Sequence, residues 1–419
     1  MAVTAVIKSL VCVVLVPVLA IIASVVLNTT SVADLSSYES PITGVGLPPM
    51  AVFRVATKFS ALVDAFAFAL KPPTAQVMSM VNGYQLTQAL GVFARLHLAE
   101  AMLKLANRDG MTDVIVLATE VGVDAEALRR LLRFLAAHSF VASSGGPLAQ
   151  RFGLTPASQM LAKDATGSLW GAAVIGSADH YDGWQNLEAS LRKGASTVAF
   201  DDKFGLSIWE HYKRNPTQEK AFAHFMTGVS AGPNAALAMS GVNFSQCERI
   251  VDVGGGHGSL MQELVAAFPS LSGAATVFDM PSVVRSAPTI HGVHFKGGDF
   301  FDPKTIPRGA STNCYVEKVV LHDWSDTKTV AILKNIATAL ETAKVPRANR
   351  RLFLAEQVLS DGDALQVSKL GLDVNMMVMC GGGERTAGEW AALLDQAGWS
   401  MSSVFPTRSL FSVIEAVAK

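Results

Sequence analysis

Apolar positions change their spacing along the chain, and each change marks a different kind of element. Residues 9–27 form an unbroken apolar run of 19 residues without a charge, preceded by Lys8. That is close to the roughly 20 residues needed to cross a bilayer's hydrocarbon core as a helix. Residues 34–49 are rich in Ser, Gly and Pro and read as a linker. Residues 50–70 are apolar again but carry Arg54, Lys58 and Asp64, which predicts an amphipathic helix and not a second span. The period then becomes helical. A stripe of Leu128, Leu131, Leu132 and Leu135 follows Asp124, a good N-cap residue, and the order helix, turn, helix, hairpin is that of a winged helix. Residues 164–240 read as mainly helical, with aromatic patches at 181–184 and 200–209 expected to line or lid a cavity. Beyond them, short apolar strands alternate with helices, the signature of a doubly wound α/β sheet.

These shifts divide the chain into five expected segments. Residues 1–30 are a hydrophobic leader or membrane anchor, and 31–73 a linker with its amphipathic helix. Residues 74–163 form a helical winged-helix layer, 164–240 a helical connector, and 241–419 a Rossmann-like α/β domain. A signal anchor, a cleaved signal peptide and the front of an organelle leader all fit the first segment.

The chemistry concentrates in the last segment. Residues 249–260 read RIVDVGGGHGSL, an apolar strand ending in a Gly-rich turn that opens a helix. Glycine is needed where backbone must approach a ligand closely or adopt positive φ. Such a turn suits nucleotide-like ligands in general and leaves a dehydrogenase and a methyltransferase both open. The later strands narrow the choice. A second strand delivers Asp279 and a third delivers Asp299. A fourth runs into His322-Asp323-Trp324-Ser325-Asp326, and a fifth ends at Glu356. Ligands of open α/β sheets bind beyond the carboxyl ends of the strands, where these polar residues fall.

Taken in order, VDVGGGHG, FDM, GGDFF, EKVVLHDWSD and GGGERT resemble the successive motifs of the class I O-methyltransferases of the caffeate and acetylserotonin type. The resemblance covers roughly residues 74–417 and implies S-adenosylmethionine as cofactor, a small-molecule acceptor, and a homodimer formed through the winged-helix layer. It implies that Gly254 touches the methionine part of the cofactor. Asp279 would take the ribose with Met280 beside the adenine, Asp299 and Phe300 would hold the adenine edge, and Lys318 would lie near the cofactor. It implies His322 as general base, held by Glu356 and Glu384, with Asp323 supporting the local turn and no metal. A histidine titrating near neutral pH suits removal of a hydroxyl proton. His257 inside the glycine turn departs from the pattern, as do the leader and the helix at 50–70.

Composition removes other classes. Half the residues are hydrophobic, 16% are charged and the formal net charge is −1, which gives no global attraction to nucleic acid. Arg129, Arg130 and Arg133 are offset by Glu120, Asp124 and Glu126, so no nucleic-acid partner is expected of the winged helix, and a DNA-binding regulator is the remote alternative. The four cysteines lack CxxC spacing, so neither a zinc site nor a disulfide is expected. The chain is thus expected to methylate a hydroxyl of a phenol or hydroxyindole. The alternative is sulfur methylation of a thioether acid such as 4-methylthio-2-hydroxybutyrate, towards dimethylsulfoniopropionate. Membrane attachment through residues 9–27 or organelle targeting is the expected localisation, with the cytoplasm otherwise.

Overall fold

The computed structural model describes residues 37–194, 196–309 and 313–419. The run at 9–27 lies outside them, and no helix among the described residues is long and apolar enough to cross a membrane. The chain divides into two compact units, residues 73–231 with 377–381, and the remainder.

The larger unit opens where a linker is expected from composition. Residues 37–49 instead contain a small hairpin, β1 (Tyr38–Glu39) and β2 (Gly46–Leu47). The reason is a carboxylate far away in sequence. Glu263 is buried, and Tyr38 Oη and Ser40 Oγ donate to its two oxygens at 2.9 and 2.7 Å. A buried charge without such donors would be strongly destabilising, so the hairpin is tied down despite its loop-like composition. Helix α1 (Met50–Ala69) follows, the amphipathic helix of the sequence reading, with Met50 as its only buried residue.

In the smaller unit come α2 (Pro73–Val81), α3 (Gly83–Arg95) and α4 (Leu98–Leu105). The helical run is interrupted at Asn82 and again at Leu96–His97, where His97 adopts a positive φ of 50°. Strand β3 (Met111–Asp113) leads into α5 (Val114–Val121), capped by the Asp113 carboxylate. Helix α6 (Ala125–Ala137) is capped by Asp124 and buries Leu128, Leu132 and Leu135. The wing is β4 (Val141–Ser144) and β5 (Arg151–Leu154), which with β3 gives an antiparallel sheet of order β3-β5-β4. Short helices fill residues 156–214. Phe200 is fully buried among them, whereas Trp184 is exposed.

Helix α7 (Pro216–Ala238) leads back into the larger unit. There β6 (Ile250–Val253), α8 (Ser259–Ala267), β7 (Ala275–Asp279), β8 (Val293–Gly297) and β9 (Cys314–Lys318) follow in turn. They continue into α9 (Asp326–Thr342), β10 (Arg351–Glu356), β11 (Val358–Leu359), α10 (Gln366–Met379), β12 (Arg385–Thr386), α11 (Ala387–Gln396), β13 (Trp399–Pro406) and β14 (Ser412–Ala418). The main sheet has order β13-β14-β10-β9-β6-β7-β8, with the five strands from β8 to β10 parallel. β14 pairs antiparallel with β10 and β13. The central strands are buried and mostly apolar because helices cover both faces, with Asp252, Glu317 and Glu356 as buried exceptions. Trp390 and Trp399 lie fully buried against one face, and their indole N–H groups reach the Gln357 and Leu333 carbonyls. This is the doubly wound α/β architecture expected from the sequence, joined to a helical winged-helix layer.

One expectation is corrected. Cys247 and Cys314 form a disulfide, although composition argues against one. They are 67 residues apart, so no short spacing announces them. The sheet register does it instead, because Cys314 opens β9 beside the segment entering β6, where its N–H donates to the Arg249 carbonyl at 3.2 Å.

The candidate active site

The parallel strands end on one edge of the sheet, and that edge gathers the polar residues singled out from the sequence. Gly254 follows β6, Asp279 ends β7, Asp299 lies two residues past β8, Lys318 ends β9 and Glu356 ends β10. Pairing fixes their mutual height: Val253 aligns with Phe278, Asp279 with Gly297, and Ala355 with Lys318.

The glycine turn is shaped by its neighbours. Gly254 has φ of +74°, and a Cβ there would sit 2.7 Å from Val320 Cγ2. A Cβ on Gly255 would sit 2.5 Å from Asp252 Oδ2, whereas the space around Gly256 is open. Asp279 locks the turn. Its Oδ2 accepts the Gly256 N–H at 2.8 Å and its Oδ1 the Met280 N–H at 2.6 Å. Burial raises the Asp279 pKa, against those two hydrogen bonds. Asp299 is exposed and accepts the Phe301 N–H at 2.8 Å. Phe300 and Phe301 pack edge-on against Trp324, so the tips of β8 and β9 share an aromatic wall.

Beneath the turn lie acids that sequence reasoning passed over. Asp252 is buried and neither of its oxygens has a hydrogen-bond partner. Burial pushes its pKa up to about 7, with Lys318 opposing the rise. Glu317 is likewise buried, and its carboxyl is held well above its ordinary range by burial and then by Glu356. Burial lowers the Lys318 pKa. For Asp252 the signal was in plain sight, as the acid inside VDVGGGHG. These orphaned oxygens, the open space at Gly256 and the carboxylate of Asp279 fit a nucleoside with hydrogen-bond donors and a positive charge.

The chain after β9 turns sharply. Val319 takes φ of +56°, a costly conformation for a β-branched residue. Its neighbours hold it there. Val319 N–H donates to the Ala355 carbonyl, and the Val320 and Leu321 N–H groups both donate to Glu356 Oε1 at 3.1 and 3.0 Å. The turn presents His322, buried, with Nδ1 2.8 Å from Glu384 Oε1. A carboxylate can only accept, so Nδ1 carries the proton and Nε2 is left as the basic nitrogen when the ring is neutral. Asp323 Oδ1 lies 3.6 Å from Nε2. Burial opposes a charge on the ring, but Glu356, the hydrogen bond to Glu384 and Asp323 outweigh it and raise the pKa to about 9. The two glutamates thus differ in their contacts: Glu384 touches the ring, and Glu356 holds the turn that carries it. Their donor atoms and that of His322 lie within 4.8 Å of one another.

Two further residues act on this turn. Arg385 is buried, donates to Asp326 at 2.9 Å and to the Trp324, Gly383 and Leu321 carbonyls at 2.8, 3.2 and 3.3 Å, and lies over the Trp390 ring. Asp373 accepts the Glu384 N–H at 2.8 Å. At Gly382 a Cβ would fall 1.9 Å from the His322 carbonyl, so the glycines of GGGERT let two backbones touch.

Residues 184–400 match the O-methyltransferase domain family, and residues 78–164 match the O-methyltransferase dimerisation domain. The chain belongs to this O-methyltransferase family. It is 28% identical over 352 residues to the phenazine O-methyltransferase of Lysobacter antibioticus, covering 82% of this chain and 96% of that one. To the mitomycin biosynthesis 6-O-methyltransferase of Streptomyces lavendulae it is 31% identical over 338 residues, covering 79% and 90%. Among solved structures it resembles an O-methyltransferase from neocarzinostatin biosynthesis in complex with S-adenosylmethionine and 2-hydroxy-5-methyl naphthoic acid. The TM-score is 0.63 at 26% identity, over 80% of this chain and 96% of that one. The chain is an S-adenosylmethionine-dependent methyltransferase that transfers a methyl group to a hydroxyl of a small molecule. It carries this family's dimerisation domain.

Proposed function

We propose that the acceptor is a phenolic or hydroxyindole hydroxyl and that His322 removes its proton as the oxygen attacks. The observation that carries the reading is the Glu384–His322 hydrogen bond, which leaves Nε2 as the basic nitrogen of a buried ring. Glu384 fixes the tautomer and balances the imidazolium as it forms, and Glu356 holds the turn and adds negative charge. When bound, S-adenosylmethionine supplies an electrophilic methyl group on a positive sulfonium. The protein's remaining work is to hold it. In our reading Asp279 accepts the ribose hydroxyls, Met280, Asp299 and Phe300 border the adenine, and Gly254 and Lys318 lie by the methionine part. We assign no role to a metal. Phenol-like substrates are suggested by the relatives' names, phenazine and naphthoic acid among them. We also read residues 78–164 as joining two chains into a homodimer. Residues 9–27 we read as a targeting or anchoring segment, from their charge-free run alone.

The test is His322→Ala assayed with labelled donor against phenols, hydroxyindoles and thioether acids. Turnover of a phenol should fall on the order of 100-fold or more with donor binding retained. A thioether has no proton to lose, so unchanged turnover in this variant, with a thioether as the preferred acceptor, would overturn the reading.

A further inference from the structure

Helix α1 is amphipathic in the reverse sense. Its polar residues Arg54, Thr57 and Lys58, with Met50 and Phe53, line a groove of about 530 Å³ in their own unit, opposite residues that include Lys369 and Phe411. Its other side points to solvent along an apolar seam, with Ser60 and Asp64 exposed near that seam. Val52, Phe59, Val63 and Phe66, with the cap residue Leu70, are 53, 41, 43, 37 and 69% exposed, and Ala56 is exposed between them. A continuous apolar face of this kind on a folded unit marks an interaction surface.

The spacing says what kind. Positions 52, 56, 59, 63, 66 and 70 are separated by 4, 3, 4, 3 and 4 residues. That 3.5-residue repeat is the seam of one helix packing along another. The positions beside the seam are Phe53, Val55, Ser60, Leu62, Ala67 and Ala69, none of them charged. Two identical seams can therefore meet without opposing like charges, the condition for a self-complementary contact about a two-fold axis. A membrane surface fits less well. Interfacial helices hold Lys and Arg where they can reach lipid headgroups, and here Arg54 and Lys58 line the groove away from the seam, Lys58 being the exposed one of the two. The helix also lies next in sequence to a domain that pairs chains, because the dimerisation match begins at residue 78 and α1 ends at Ala69.

We infer that the outward face of α1 packs against the same face of a second copy, adding a contact outside the family's dimerisation domain. This rests on the homodimer reading. Sedimentation equilibrium of the full chain should show the dissociation constant of Phe59→Glu/Phe66→Glu raised by about tenfold or more. Calorimetric donor binding should be unchanged. In a second arm, a short bismaleimide should join two chains of Val63→Cys but not of Thr57→Cys or the parent protein. An unchanged dissociation constant without a Val63 cross-link overturns the inference. So does a variant that stays dimeric and loses affinity for anionic phosphatidylserine vesicles, which would make the face a membrane contact. A parent protein that is monomeric throughout the titration sinks the homodimer reading itself, which separates the two failures.

Discussion

The two halves of the strand edge use carboxylates in different ways. At the tips of β7 and β8, Asp279 accepts the backbone N–H groups of Gly256 in the glycine turn and of Met280, and Asp299, which is exposed, accepts one from its own turn. Glu356 at the tip of β10 and Glu384 just before β12 are buried beside an imidazole whose pKa they lift. The first arrangement sets the position of oxygen atoms, and the second sets the charge state of a nitrogen. Recognition of a sugar and base needs shape and acceptors. Proton removal needs a tuned pKa in a place that excludes water. In the proposed reading one sheet edge serves both, because its strands stay in register while burial rises from the β8 side to the β10 side.

The sharpest way to break this division is at Gly254. A valine side chain at that position would be driven into Val320, at a backbone φ that branched residues resist. Gly254→Val should weaken donor binding by about 100-fold or more, measured by calorimetry. Unimpaired binding would mean the glycine turn is not the donor site.

A smaller change tests the β7 tip alone. Asp279→Ala removes an acceptor but also frees the Gly256 and Met280 N–H groups. The donor KM should rise by about tenfold or more while kcat changes less, since uniform binding is lost and not the proton transfer. A fall in kcat with KM unchanged would move Asp279 to the reactive half.

The smallest expected effect concerns the cluster of His322, Glu356 and Glu384, whose donor atoms are close enough to hold a cation. Glu356 Oε1 is taken by two backbone N–H groups and Glu384 Oε1 by the ring. Dialysis against a chelator should leave turnover within about a factor of two. A loss restored by a divalent cation would replace the general base with a metal centre.

What could be read from the sequence was what the chain encodes locally. The strand–glycine–helix passage at 249–260, the leucine stripe of α6 and the acids at successive strand ends each lie within one element. Their periods and caps are visible without coordinates. Contacts made across the sheet were not visible. The Cys247–Cys314 pair depends on β9 running beside the entry to β6. The docking of residues 37–49 depends on Glu263, and the hold on the His322 turn depends on Arg385, 64 residues beyond the Leu321 carbonyl it reaches. The reversed polarity of α1 was hidden for another reason. Periodicity shows that a helix has two faces but not which one its own unit covers.

The claim at the centre is that His322 must be neutral to work. With its pKa raised to about 9, the ring is largely charged at neutral pH in the donor-free protein, and its basic form grows as pH rises. The nearby positive sulfonium of a bound donor opposes that charge, so the working pKa should fall below 9. The most direct measurement is the single-turnover rate on a phenol at saturating donor from pH 6 to pH 9.5, for the parent protein and His322→Ala. The account predicts a parent rate that climbs about tenfold per pH unit before levelling below pH 9, with the variant on the order of 100-fold slower and without that inflection. Matching profiles in the two proteins, or a parent rate that falls as pH rises, would contradict it.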